Sequence, residues 1–157
     1  CMNPTNTTEG GFVGSYMWKT ILPKYLAGYK NAYGNDRLET FGNLLTNMTN
    51  TSVPAPGCTA WTGVSVNWDW YQTKITLLSE VQVYGSSIWG GGYDTGEANS
   101  QLAAFRLCQR LNNFHNGNFW LRAVSDITGF AYVGYGGSAS SSGASYVIFV
   151  RPLLLLY

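Results

Sequence analysis

Charge is scarce in this chain of 157 residues: 11% of them are Asp, Glu, Lys or Arg, and the formal net charge is +1. No basic footprint for a nucleic acid follows from that balance. Histidine occurs once, His115, in an Asn/Gly turn with no partner at a catalytic spacing, which reads as a solvated turn residue rather than a general base. Three cysteines, Cys1, Cys58 and Cys108, allow at most one internal bridge, and no CxxC or Cys/His spacing suggests zinc. No apolar run approaches the roughly 20 residues of a membrane-spanning helix; Leu153 to Leu156 is far too short. Motifs with a built-in chemistry are missing too: no GxSxG, no GxxxxGK[ST], no HExxH and no EF-hand loop. The run Gly90-Gly91-Gly92 lacks the following helix and lysine that phosphate binding needs. The carboxylates Glu9, Asp36, Glu39, Asp69, Glu80, Asp94, Glu97 and Asp126 are scattered. Catalytic residues, a cofactor and a bound metal are therefore not expected. A glycosidase pair converging in space, beside Trp68 or Trp89, stays open as the enzymatic alternative.

What the chain has is apolar and aromatic bulk, 45% hydrophobic and 15% Phe, Trp and Tyr, enough for one domain with a core of its own. Residues 1–11 are polar and read as a linker or lead-in segment, with the domain proper at 12–157. The leading Cys1 is taken to mark a C-terminal piece of a longer protein; a lipid-bearing cysteine is the competing explanation. Asn6-Thr7-Thr8, Asn47-Met48-Thr49 and Asn50-Thr51-Ser52 match the N-glycosylation pattern, as an Asn/Thr-rich chain does by chance.

From Ser15, a plausible N-cap, Tyr16, Met17, Trp18, Ile21 and Leu22 form a helical apolar stripe that Pro23 should end or kink, with Gly28 and Gly34 opposing a long continuation. Residues 37–53 fit a short helix or a strand. Pro54 to Gly57 breaks the chain, and Trp61, Trp68 and Trp70 follow in a loop, as buried anchors or a ligand platform. Thr73 to Leu78 alternates like a strand. Ser79 to Gly85 reads as a capped short helix closed by glycine. Ala98 to Leu111 has helical spacing with Leu102, Phe105 and Cys108 inward.

The C-terminal part opens on Phe119-Trp120-Leu121-Arg122 and closes on Val150-Arg151-Pro152-Leu153. Between them, from Ala123 to Val150, Asp126 is the only formally charged residue, and Ser, Gly, Ala, Tyr and Val dominate. Phe130 and Tyr132 share one strand face, Ala131 and Val133 the other; Ser145, Val147, Phe149 and Arg151 alternate against Tyr146, Ile148 and Val150. Arg122 and Arg151 flank the stretch as buried structural cations. The fold class is α+β, helices early and an antiparallel sheet late. Tyr supplies stiff amphipathic area and Ser and Gly adaptable hydrogen bonding, the composition of a binding surface.

The segments Thr76-Leu77-Leu78-Ser79-Glu80-Val81-Gln82-Val83-Tyr84-Gly85, Phe119-Trp120-Leu121-Arg122 and Val150-Arg151-Pro152, with Gly10 to Trp18 ahead of them, resemble a bacterial and phage domain family with a C-type lectin-type fold. Its members include the variable proteins of diversity-generating retroelements, the class of the phage tropism determinants. This sequence departs from the family pattern at Leu78 (Pro there), Gln82 (Glu), Phe149 (Gly) and the ending Leu153 to Tyr157. The resemblance implies a non-catalytic receptor-binding domain whose last strands are rewritten by adenine-directed mutagenesis. Mutated Asn codons never yield Met, Gln, Lys, Glu or Trp; these types occur 21 times in residues 1–122 and not once in 123–157, where uniform density gives about six. A Ser- and Gly-rich β surface gives the same absence.

The ligand face implied by the resemblance comprises Ser125, Asp126, Thr128, Phe130, Tyr132, Tyr135, Ser138, Ser140, Ser141, Ser142, Tyr146 and Phe149. Phe130, Tyr132, Tyr135 and Tyr146 are its expected anchors, on a fixed scaffold of Trp120, Leu121, Val133, Val147 and Val150. The implied partner is a host-surface protein or glycan; the setting is a phage tail fibre or virion tip, or a bacterial cell surface. A homo-oligomer such as a trimer would assemble through N-terminal or preceding regions. Calcium is not expected, since this stretch holds a single carboxylate. A structural virion or surface-filament subunit is the non-receptor alternative, with Tyr135 and Tyr146 buried between subunits.

Overall fold

A computed structural model describes residues 1–34, 37–48, 67–90, 101–108 and 117–156, with side chains for all of these except 42–48 and 67–70. Trp61, Cys58, His115, the break at Pro54 to Gly57, Gly91, Gly92, Asp36, Asp94, Glu97, the sequon at Asn50 and the ends of the expected helix Ala98 to Leu111 lie outside the described residues. The architecture is α+β. In chain order it runs α1 (Gly11–Gly14), a π-helical turn (Met17–Ile21), α2 (Leu22–Tyr33), β1 (Phe41–Met48), β2 (Asn67–Thr73), β3 (Ile75–Leu77), α3 (Glu80–Tyr84), α4 (Ala103–Leu107), β4 (Phe119–Val124), β5 (Gly129–Val133), β6 (Ala139–Gly143) and β7 (Pro152–Leu154).

The strands pair antiparallel in three small sheets: β1 with β2, β3 with β7, and β4-β5-β6. The third sheet is the wall between two cores. Trp120, Val124 and Phe130 project from one side into a cluster with Met2, Phe12, Met17, Leu22, Ile75 and Leu77. Phe119, Leu121, Ala131 and Val133 project from the other against Leu78 and Val83, with Tyr84, Leu102, Phe105 and Leu153 packed around them. A strand covered on both faces has no polar side to show, which is why Phe119 to Leu121 reads as an unbroken apolar run. Arg122, the polar residue that interrupts it, is buried and donates from Nη1 to Leu77 O and Gln82 Oε1, both at 2.9 Å. Its reading as a buried structural cation holds.

α3 is terminated at both ends by its own sequence. Ser79 Oγ accepts the Gln82 N–H at 3.1 Å and Gln82 Oε1 accepts the Ser79 N–H at 2.9 Å, a reciprocal capping box. Gly85 closes the helix in the left-handed region at φ 80°. Gln82 thus caps the helix and holds Arg122 with one oxygen.

The first helical region departs from expectation. Ser15 Oγ does accept the Trp18 N–H at 3.2 Å, but a π turn follows, and α2 then runs from Leu22 through Gly28 to Tyr33 before stopping at Gly34. Pro23 does not end the helix: α2 follows directly on the π turn and runs on past it. Tyr16 is exposed, off the buried stripe of Met17 and Leu22. Trp68 and Trp70 fall in strand β2 rather than in a loop.

Residues 1–11 are not a linker. Met2 is fully buried in the first core, and its N–H and that of Asn3 both donate to Ala144 O, at 2.8 and 3.0 Å. Thr8 donates from N to Ile127 O and from Oγ1 to Asp126 O. These polar residues find their partners more than a hundred positions away, a pairing no local pattern announces. Cys108, expected in the core, is an exposed free thiol just past the end of α4 at Leu107. Cys1 is free as well.

Candidate ligand-binding face

The two turns of the β4-β5-β6 sheet lie at its opposite ends, and the expected face residues are divided between them. The β4–β5 turn holds Ser125, Asp126 and Thr128. Asp126 Oδ1 accepts the Thr128 N–H at 2.6 Å and the Thr128 hydroxyl at 2.7 Å, an Asx turn that spends this carboxylate oxygen locally. Ser125 is buried, with its hydroxyl 3.3 Å from Asp126 Oδ2. This end is a tied-down corner, fastened further by Thr8 and by Asn6, whose Oδ1 accepts both the N–H and the hydroxyl of Ser145.

The middle of the sheet is wall rather than display. Phe130, expected as an anchor, is fully buried in the first core, and Tyr132 is half-buried, packed edge-on to Trp120 with ring centroids 5.9 Å apart. Phe130 and Tyr132 do share a face, as read, but that face looks into the protein. Ser140, Ser141 and Ser142 sit in β6 opposite Tyr132, Ala131 and Phe130, each half-buried.

The other end is different. After β5 a one-turn 3₁₀ segment, Tyr135–Gly137, carries Gly136 and Gly137 at φ 79° and 84°. The left-handed backbone needs glycine there. The turn is anchored by the Gly134 N–H on Ser138 O at 2.7 Å and by the Tyr84 hydroxyl on Gly137 O at 3.2 Å. Burial, with the charge of Glu80 adding to it, raises the Tyr84 hydroxyl above its ordinary value. It therefore remains a donor.

Beside this turn the returning chain runs alongside β4. Phe149 bridges Phe119 in parallel: its N–H donates to Asn118 O at 3.2 Å and its carbonyl accepts the Trp120 N–H at 3.1 Å. Ile148 and Val150 turn inward onto the first core. Val147 and Phe149 turn outward and are 89% and 72% exposed; Tyr135 is 71% exposed. Together with Gly117, Asn118 and Ile148 they line an open cleft of about 410 Å³, with no charged residue among its described lining residues. Arg151 lies 4.1 Å above the Phe119 ring, a cation–π contact that backs this end of the sheet; partial burial lowers its pKa.

Of the twelve expected face residues the structure brings Tyr135 and Phe149 together in this cleft. Ser138 is exposed on the same turn, its hydroxyl 3.4 Å from Tyr135 O, and Tyr146 is 63% exposed just past the β6 end without lining the cleft. Val147, assigned to the fixed scaffold, is the most exposed large apolar side chain described. Its alternation with Phe149 carried that signal, since Val147 must share the outward side once Ile148 and Val150 are inside. Trp120, Leu121 and Val133 are fully buried and Val150 packs on the core, as scaffold positions should be.

A carboxylate does stand near Trp89, but it is structural. Glu80 is 2% exposed and accepts the N–H groups of Ile88, Trp89 and Gly90, at 2.8 to 3.2 Å. Among the described residues no group of three or more His, Cys, Asp or Glu could hold a metal ion, and no helix is long and apolar enough to cross a membrane. No protein-family model, curated protein or solved structure matches the chain.

Proposed function

We propose that this chain is a non-catalytic ligand-binding domain whose recognition surface is the end of the sheet formed by Tyr135, Ser138, Val147 and Phe149. The carrying observation is the contrast in exposure: large apolar side chains stand in solvent around a cleft with no charge among its described lining residues, while β4 and β5 behind them are covered on both faces. Aromatic and aliphatic groups held rigidly in water are costly unless a partner covers them, and aromatic ones dominate binding energy when it does. The resemblance to C-type lectin-type variable proteins supports the same surface, because its diversified stretch contains these positions. Under that reading the partner is a host-surface protein or glycan, met by a phage virion or a bacterial surface protein.

The test is binding of the labelled protein to an array of surface glycans and to intact candidate host cells, beside a Tyr135→Ala/Phe149→Ala double variant. Loss of at least about tenfold in binding with unchanged thermal stability is expected, because each lost aromatic anchor is worth on the order of 1–2 kcal/mol. Equal binding by the double variant would remove this surface from recognition. Concentration-dependent self-association abolished by the same substitutions would instead assign it to assembly.

A further inference from the structure

A second cleft, of about 480 Å³, opens on the other flank of the Tyr135–Gly137 turn, lined by Val83, Tyr84, Gln101, Phe105, Arg106, Gly136 and Gly137. It contrasts with the first in chemistry. Arg106 is exposed and is the one charged side chain among its described lining residues, whereas the described lining residues of the Tyr135–Val147–Phe149 cleft include none. The two clefts share one thin wall, the 3₁₀ turn itself. Its crest at Gly136 is bare backbone, with open space where a Cβ would stand. A chain crossing from one cleft to the other meets no side chain at that crest. The wall is also held from behind, by the Tyr84 hydroxyl on Gly137 O.

We propose that the two clefts form one composite site for an extended peptide segment of a partner protein, with an apolar or aromatic side chain between Tyr135, Val147 and Phe149 and a carboxylate at Arg106. This rests on the binding reading above and names the chemistry of its ligand. A planar guanidinium pairs a carboxylate through two parallel hydrogen bonds and is selective for that geometry. Val147 and Phe149 offer aliphatic and aromatic area with, among the described lining residues, only Asn118 and the Tyr135 hydroxyl as polar side-chain groups, which suits an apolar side chain better than the many hydroxyls of a sugar ring.

The experiment uses capped peptides carrying Trp and Glu joined by a glycine linker, with a Trp/Gln counterpart, titrated into the full chain and read by amide chemical shifts. The Trp/Glu peptide is expected to shift Gly136, Gly137 and Arg106 together with Val147 and Phe149, and Arg106→Gln to weaken it about tenfold, down to the affinity of the Trp/Gln peptide. Raising the salt concentration is expected to erase the same difference. Equal affinity of the two peptides, with shifts at Val147 and Phe149 alone, would overturn the composite site and leave the apolar cleft standing. Absence of shifts at either cleft up to millimolar peptide would overturn the peptide site, while the recognition surface itself stands or falls with the Tyr135→Ala/Phe149→Ala binding test above. Methyl glucuronide reproducing the Arg106-dependent shifts would overturn the peptide in favour of an acidic sugar.

Discussion

Two stretches of this chain look alike on paper and behave in opposite ways. Phe119 to Leu121 and Val147 to Val150 are both apolar, and they meet in the parallel bridge of Phe119 with Phe149. β4 lies between β5 on one side and Phe149 on the other, with a core on each face, so Phe119, Trp120 and Leu121 all vanish from the surface. The later stretch has core on one face only. Ile148 and Val150 go in, and Val147 and Phe149 stay in solvent. Apolar composition alone therefore does not identify core; the number of covered faces does.

The largest way to break that contrast is truncation inside the wall. Trp120→Ala or Phe130→Ala is expected to cost about 3–5 kcal/mol, the range for emptying a buried aromatic site, measured by denaturant unfolding. Phe130 discriminates most sharply, because a ligand anchor would lose binding and keep stability, whereas a core residue does the reverse.

Next in size is Glu80→Ala. It leaves the N–H groups of Ile88, Trp89 and Gly90 without their acceptor, at a cost of about 2–3 kcal/mol, and hydrogen exchange at those three amides should accelerate before the global unfolding limit is reached. Ser79→Ala removes one half of the capping box and is expected to cost about 1 kcal/mol.

Tyr84→Phe removes the hydroxyl that holds Gly137 and should cost about 1 kcal/mol at neutral pH. Its signature is alkaline. The folded state holds this phenol above its ordinary value, so its contribution is complete below pH about 10 and fades as the pH rises beyond it. Stability measured across that range should fall less steeply in the variant than in the parent. The smallest effect belongs to the display side: Val147→Ala or Phe149→Ala should change stability by no more than about 0.5 kcal/mol.

Much of this was legible wherever the signal was local. The box of Ser79 and Gln82, the stop at Gly85 and the two-residue alternation in β5 are all properties of neighbours in sequence. What was hidden depends on distant partners. Polar residues 3–8 read as a tether because the acceptors at Ala144, Asp126 and Ile127 lie far down the chain. Phe130 read as an anchor because alternation separates the two faces of a strand without telling that both are covered. Pro23 read as an end or a kink, and the structure puts a π turn directly before α2 while the helix goes on to Tyr33. Cys108 read as core because the helix was expected to be longer than α4 is.

If a buried scaffold carries an exchangeable surface at one end of the sheet, as proposed, the encoding sequences must show it. The most direct measurement is sequencing of the encoding locus across many members of the source population. The account predicts substitutions concentrated at adenine-bearing codons for exposed positions such as Tyr135, Ser138, Tyr146 and Phe149, with Trp120, Leu121, Phe130 and Val133 invariant. Uniform invariance, or variation that ignores the division between buried and exposed positions, would contradict it.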